Sequence, residues 1–171
     1  MQSTNLTRGQ IHWSALDWWP PIGWWPEPAR GLLQPGSASA GASATFLLPP
    51  RAESVHSARS FAAGTLSGWG MTDLLDGMEL VVSELATNAL RHGMTLTGER
   101  PREVIRLSLI RRGPHVACAI TDPGSNAPVL RDPSPFEPGG LGLHIVESLS
   151  ACWGWCPLLP QGKAVWAVLA A

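Results

Sequence analysis

The order of hydrophobic patterns along the chain predicts an α/β fold, a two-layer sandwich in which helices cover one face of a mostly antiparallel sheet. Two observations carry this prediction. A strand pattern is followed by two helix patterns, two strands, a long loop, a third helix and two closing strands. The two strands after the second helix are separated by Arg112-Gly113-Pro114, a turn sequence that indicates a β-hairpin and therefore antiparallel pairing.

The first 43 residues differ in composition from the rest of the chain. Five of the nine tryptophans lie within residues 1–25, prolines interrupt every helix pattern, and a Gly/Ser/Ala run follows. We therefore expect a disordered Trp-, Pro-, Gly- and Ser-rich extension over residues 1–43 and one folded domain over residues 44–171. The alternative is a patch that binds a partner or an interface, because Trp favours sites that are half apolar and half wet.

The folded part begins with a short strand and two helices. Ala44–Leu48 is an apolar strand that ends at Pro49-Pro50. Ser54 can cap a helix that ends near Gly68, and a second helix over Thr72–His92 stops at Gly93. The later elements are two hairpin strands (Val104–Ile110, His115–Thr121), a proline-rich loop (122–139), a helix (Leu141–Leu149) and two strands (Cys152–Pro157, Ala164–Leu169). So long a loop in a compact domain predicts a lid or a binding loop.

Charge and cysteine content exclude several classes of protein. Twelve Lys and Arg against thirteen Asp and Glu leave a net charge of −1, so no basic field is available to hold nucleic acid or an anionic membrane. No basic start precedes an apolar stretch, and every candidate span is interrupted before it could cross a bilayer, so we expect a cytoplasmic protein. The three cysteines indicate small core hydrophobes rather than a disulfide framework or a zinc site.

The first candidate cluster lies on the second helix. Glu84 and Asn88 are one helical turn apart, at the margin of an apolar stripe. The amide oxygen suits Mg²⁺ and the carboxylate can orient a nucleophile. The other interpretation is a hydrogen-bonded pair at the border of the core. The stripe itself is formed by Met78, Val82, Leu85, Ala86 and Ala89.

Two further clusters follow along the chain. Asp122 ends a buried strand, where its carboxylate can accept a hydrogen bond from an exocyclic amine, and Gly124 allows a flat base to approach. Asp-Pro-Gly is also ordinary turn chemistry. Gly140 and Gly142 lead into the third helix, whose free N–H groups can bind an anion, although glycines often begin helices that bind no phosphate. Together the three clusters supply what Mg-ATP needs: a metal ligand, a base anchor and a phosphate cradle.

These motifs are those of a known family. Residues 44–171 resemble the GHKL, or histidine kinase-like, ATPase superfamily, whose Bergerat-type ATP-binding fold is such a sandwich. More narrowly, they resemble the anti-sigma-factor serine/threonine kinases and their small actinobacterial relatives. The matching segments are Glu84-Leu-Ala-Thr-Asn88-Ala-Leu-Arg-His92-Gly93 (N box), Asp122-x-Gly124 (G1 box), Gly140-x-Gly142-Leu143 (G2 box) and Ala151-Cys-Trp153-Gly154.

The resemblance implies a role for each matched residue. Glu84 would be the general base, Asn88 the magnesium ligand and Asp122 the adenine anchor. His92 would lie near the phosphates. The residues that would shape the pocket and hold the nucleotide through the backbone are Gly124, Gly140, Leu141, Gly142 and Leu143. The chain departs from the family at Asn126, where the G1 box usually has a second glycine, and in the prolines that stiffen the lid.

The resemblance also implies a function. We expect an ATP-binding regulator that uses Mg²⁺ and transfers the γ-phosphate of ATP to a serine or threonine of a partner. The partners it implies are a sigma factor, an anti-sigma-factor antagonist or both, and family members often form homodimers. The alternative is a module that binds ATP without turnover, or has lost it, and acts by docking to a partner. An unrelated α/β domain with chance glycines is the third interpretation.

Overall fold

A computed structural model describes residues 42–92, 105–130, 140–158 and 162–171 of the chain. Its helices and strands follow the predicted order, with a 3-10 turn at Thr72–Leu74 where the second helix was expected to begin. The elements are β1 (Ala42–Leu48), α1 (Glu53–Gly68), α2 (Leu75–His92), β2 (Ile105–Arg112), β3 (His115–Asp122), α3 (Gly142–Leu149), β4 (Cys152–Pro157) and β5 (Lys163–Ala170). The proposed extension lies outside the described residues except for its last two, which begin β1.

In the described part of the chain the strands form one sheet with the order β1-β2-β3-β5-β4, and every neighbouring pair is antiparallel. All three helices contribute to the hydrophobic core on one face of this sheet. The predicted fold class, a two-layer α/β sandwich, is therefore confirmed. Within the described ranges, no helix combines the length and the apolar character that crossing a membrane requires.

The apolar stripe of α2 is the centre of the helix layer. Its five predicted residues are at most 2% exposed. They pack against alternate residues of the interior strands, namely Ile105, Leu107 and Leu109 of β2, Val116, Cys118 and Ile120 of β3, and Val165, Ala167 and Leu169 of β5. Each large apolar side chain buried here stabilises the fold by about 1.5–3 kcal/mol. Because the stripe faces the sheet, Glu84 and Asn88 stand half-buried at its margin, as predicted.

The start of α1 differs from the prediction. Ser54 does not cap the helix, whose N-cap position is Ala52 and carries no side-chain cap. Instead, the buried Ser54 hydroxyl donates to the carbonyl oxygen of Pro49 at 2.5 Å. The same carbonyl oxygen accepts from the Arg51 N–H at 2.8 Å, in the turn that follows β1. The expected cap was therefore wrong because a tertiary contact uses the hydroxyl.

The cysteines occupy apolar surroundings. Cys118 lies in the core, and burial raises the pKa of its thiol to about 12. Cys156 is half-buried, and burial raises the pKa of its thiol to about 11. Burial also raises the pKa of the Cys152 thiol. At neutral pH these groups therefore stay protonated, which suits small hydrophobic side chains rather than reactive thiolates.

Gly154 is a glycine that the packing requires. It lies in β4 opposite Trp166 of β5, on the face of the sheet away from the helices. A Cβ atom at Gly154 would lie 2.5 Å from Cζ2 of the Trp166 indole, closer than two carbon atoms can approach. The indole ring of Trp166 therefore packs directly on the backbone of Gly154.

We expect Gly154→Ala to destabilise the domain by about 1–3 kcal/mol, because the added methyl displaces the Trp166 indole from its packed position. The measurement is the free energy of unfolding in urea. The matched control is Gly64→Ala in α1, where no atom lies within 4 Å of the new methyl. That variant should gain about 0.5–1 kcal/mol from helix propensity. A Gly154→Ala protein as stable as the wild type would contradict the packing of Trp166.

Candidate functional site

A cavity of about 480 Å³ opens between α2, the start of α3 and the ends of β3 and β5. Its volume is within the range of small-molecule sites, about 300–1,000 Å³. The predicted site residues that line it are Glu84, Asn88, Asp122, Gly140, Leu141, Gly142 and Leu143. The structure therefore brings together residues that are up to 59 positions apart in the sequence, from Glu84 to Leu143 (143 − 84).

The first polar cluster of the cavity lies where the start of α3 comes close to Glu84 and Asn88 of α2. A Cβ atom at Gly142 would lie 2.5 Å from Oε2 of Glu84 and 3.7 Å from Nδ2 of Asn88. The Glu84 carboxylate can lie this close to the backbone of α3 only because Gly142 carries no side chain. Leu141 occupies the N-cap of α3 without a side-chain cap. The Glu84 carboxylate consequently lies beside the first turn of a helix, where the helix dipole favours negative charge.

The second polar cluster is centred on Asp122, which is only 4% exposed. Its Oδ1 atom accepts hydrogen bonds from the Gly124 backbone N–H and from Lys163 Nζ, each at 2.8 Å. The same ammonium group donates to the Gly124 carbonyl oxygen at 3.2 Å. Gly124 does not line the cavity itself; it holds the carboxylate that does. The strand-end acid is therefore fixed by a buried ion pair and by its own turn.

Lys163 is a site residue that the sequence analysis missed. It is the first residue of β5, pairs directly with Asp122 in the β3–β5 register and lines the cavity. Gly162 precedes it with φ +104°, and a Cβ atom there would lie 2.6 Å from the Asp122 carbonyl oxygen. A glycine is required at this point, so a Gly-Lys step opposite a strand-end Asp was the signal available. The register that pairs Lys163 with Asp122 could not be read from the sequence.

The rest of the cavity is mostly apolar. Ile120 and Val165 face it from neighbouring positions of β3 and β5, and Leu85 and Ala89 face it from α2. The loop after β3 adds a further wall made of Asn126, Ala127, Pro128 and Val129. Flat apolar walls with two polar groups suit a ligand that has an aromatic part and a charged part.

Two parts of the predicted site cannot be compared with the structure. The helix α2 ends at His92, but the side chain of that residue lies outside the described set. Residues 131–139 of the predicted lid also lie outside it. Among the described residues, no group of three His, Cys, Asp or Glu side chains is placed to hold a metal ion.

The chain matches known proteins in family and in fold. Residues 48–166 match the family described as the histidine kinase-like ATPase domain. The crystal structure of the RsbU and RsbW domains of Rv1364c from Mycobacterium tuberculosis is similar, with a TM-score of 0.56 and 15% sequence identity. The similarity covers 75% of this chain and 32% of that one, so this chain spans about a third of the length of its structural neighbour. A search of curated proteins found no match.

We expect Lys163→Met to lower the free energy of unfolding by about 3–5 kcal/mol, because it leaves the buried Asp122 carboxylate without its counter-ion. The double variant Lys163→Met/Asp122→Asn should recover most of that loss, since neither remaining group is charged. Urea denaturation of the wild type, both single variants and the double variant gives the coupling energy. Purely additive losses would show that the ion pair contributes nothing to the folded state.

Proposed function

The chain belongs to the histidine kinase-like ATPase domain family, and from this premise we propose that it binds Mg-ATP in the cavity and phosphorylates a partner protein on serine or threonine. In this proposal it is a cytoplasmic kinase of the anti-sigma-factor type. The observation that carries the proposal is the approach of Gly142 to Glu84 and Asn88, in the same cavity as Asp122. It brings the proposed base, Glu84, and the proposed metal ligand, Asn88, next to the N-terminus of α3.

Asp122 anchors the adenine base in the proposed complex. Its carboxylate accepts a hydrogen bond from the exocyclic amine, and the ammonium of Lys163 at 2.8 Å holds that carboxylate in place. Ile120 and Val165 supply an apolar surface for the ring. Gly124 holds the carboxylate in position through its backbone N–H.

The start of α3 holds the phosphates. Free backbone N–H groups at a helix N-terminus bind anions, and no side chain caps α3. Gly140 has φ +105°, a conformation that favours glycine and lets the chain turn into the helix. The backbone of Leu141, Gly142 and Leu143 continues the cradle, and His92 lies beside it in the proposed arrangement.

Asn88 is the proposed magnesium ligand, through its amide oxygen. Mg²⁺ in phosphate sites takes one or two protein ligands and completes its shell with phosphate oxygens and water, so one amide beside a phosphate cradle fits the ion. When bound, the ion supplies neutralisation of the charge on the phosphates. Glu84 accepts the proton of the attacking hydroxyl, and its position beside the start of α3 brings it to the phosphate that is transferred.

The family and the structural neighbour support the choice of partner. The neighbour carries an RsbW domain together with an RsbU domain. We accordingly propose an anti-sigma-factor antagonist as the phosphoacceptor and a sigma factor as the protein that is sequestered, with a homodimer as the acting form. Binding of Mg-ATP without transfer to any such partner would instead support the non-catalytic docking module.

Glu84→Gln should lower the rate of phosphoryl transfer by about 10²–10⁴-fold while ATP affinity stays within about threefold, because only the proton acceptor is lost. Asn88→Ala should abolish the magnesium dependence of ATP binding. Transfer from γ-labelled ATP to the antagonist and titration calorimetry with and without Mg²⁺ measure the two effects.

Glu79→Gln is the matched control, because Glu79 lies on the same helix but does not line the cavity. Its transfer rate and its ATP affinity should equal those of the wild type. Unchanged transfer by Glu84→Gln would refute the assignment of the base. No heat of Mg-ATP binding to the wild-type protein would refute the proposed function altogether.

Gly142→Ala should lower transfer by about 10²-fold, because the new methyl displaces the Glu84 carboxylate from the start of α3. The atom displaced is the end of a flexible side chain, so we expect the free energy of unfolding to change by less than about 1 kcal/mol. Transfer kinetics and urea denaturation test the two statements together. Gly68→Ala, with no atom within 4 Å of its methyl, is the control. Equal activity of the two variants would disprove the contact.

A further inference from the structure

The face of the sheet away from the helices carries a second apolar cluster. Its members are at most 3% exposed, and among the described residues it contains strand residues alone. We call this surface the helix-free face; it is formed by Ile110 of β2, Ala117 and Ala119 of β3, Trp166 and Val168 of β5, and Cys152 of β4 at its edge.

The helix-free face is continuous across the sheet. One row of paired residues crosses all five strands: Ser43, Ile110, Ala117, Val168 and Cys152. The next row runs parallel to it: Thr45, Ser108, Ala119, Trp166 and Gly154. The residues of both rows are small or apolar. Ser43 and Thr45 of β1 are exposed, so the buried part of the face begins at β2.

The burial of this face requires a cover. On one uncovered side of a sheet, the side chains of Ile110, Trp166 and Val168 would be in contact with water over much of their surface. They are instead 3%, 3% and 0% exposed. All described helices pack on the other side. The described residues therefore do not account for the burial of these side chains.

Three of the four segments outside the described residues are poorly placed or too polar. Only three residues, 159–161, separate Leu158 from Gly162, and the Leu158 N–H donates to the Gly162 carbonyl oxygen. Residues 131–139 follow Leu130, which packs against the helix-side core. Residues 93–104 lead into Ile105, at the far end of β2 from Ile110, and include Glu99, Arg100, Arg102 and Glu103.

The segment before β1 has the composition, the length and the position that the cover needs. Residues 1–41 contain five tryptophans and only four charged side chains (Arg8, Asp17, Glu27, Arg30). They join β1 at Ala42, which is adjacent in sequence to the Ser43 of the first row. Four inter-strand spacings of about 4.8 Å make the sheet about 19 Å wide, a distance that about six extended residues span.

We propose that residues 1–41 dock in cis on the helix-free face, with the tryptophans of Trp18-Trp19 and Trp24-Trp25 packed over Trp166, Val168 and Ile110. Prolines at 20, 21, 26 and 28 prevent a helix and remove N–H donors, so the segment covers the face with side chains rather than by adding a strand. This proposal differs from the disordered extension that composition alone predicts. The proposal is independent of nucleotide binding.

The test uses the full chain and the accessibility of Cys152, which lies at the edge of the helix-free face. The variant Trp18→Ser/Trp19→Ser/Trp24→Ser/Trp25→Ser is compared with the wild type and with the control Arg8→Gln/Gln34→Ser. Maleimide labelling of each cysteine is followed by peptide mass spectrometry at several protein concentrations. We expect Cys152 to react at least tenfold faster in the four-Trp variant only, at a rate independent of concentration, with Cys118 unreactive throughout.

Equal Cys152 rates in all three proteins would overturn the proposal. So would a wild-type rate that falls with protein concentration and ignores the Trp substitutions, because a second copy would then be the cover. If Cys118 also becomes reactive in the variant, wild-type protein decides the question by chymotrypsin cleavage after Trp18 and Trp24. Cleavage at least tenfold slower than in a synthetic peptide of residues 10–30 supports docking; cleavage at the same rate refutes it.

Discussion

Antiparallel pairing of β3 with β5 fixes the geometry on both faces of the sheet. The register places Lys163 opposite Asp122, which closes the cavity on the helix side. The same register places Trp166 opposite Ala119 on the helix-free face. Because side chains alternate along a strand, β5 contributes Lys163 and Val165 to the cavity and Trp166 to the other side. A slip of one residue in this single pairing would exchange the two surfaces.

The charge distribution explains why the Asp122–Lys163 pair belongs to a site. In the described part of the chain these are the only charged residues that are buried. A buried ion pair is weak as a source of stability, since apolar residues of similar size often serve a fold equally well. The pair is retained in a chain with only 15% charged residues, and it lies in the wall of a cavity. Its position therefore fits ligand binding better than it fits structure alone.

Local patterns predicted the elements and three clusters, but not how the clusters meet. Periodicity identified the buried stripe of α2, and with it the half-buried positions of Glu84 and Asn88. The approach of Gly142 to Glu84 depends on how α3 packs against α2, which no local pattern contains. The role of Lys163 depends on strand register between residues 41 apart. Ser54 was misjudged for the same reason, because its hydroxyl donates to the carbonyl oxygen of Pro49, in the turn after β1, and does not cap its own helix.

The tryptophan content is the feature for which sequence and structure lead to different interpretations. By composition alone, a segment rich in Trp, Pro and Gly lacks the periodicity of a packed element and is expected to stay outside the fold. A sheet with helices on one face only, however, leaves its other face exposed unless something apolar covers it. Here Ile110, Trp166 and Val168 of that face are buried, and Trp166 packs on Gly154. A proline-stiffened chain with large aromatic side chains suits such a surface, because few rotatable bonds are fixed for the area covered. In the proposed arrangement, the tryptophans complete the domain.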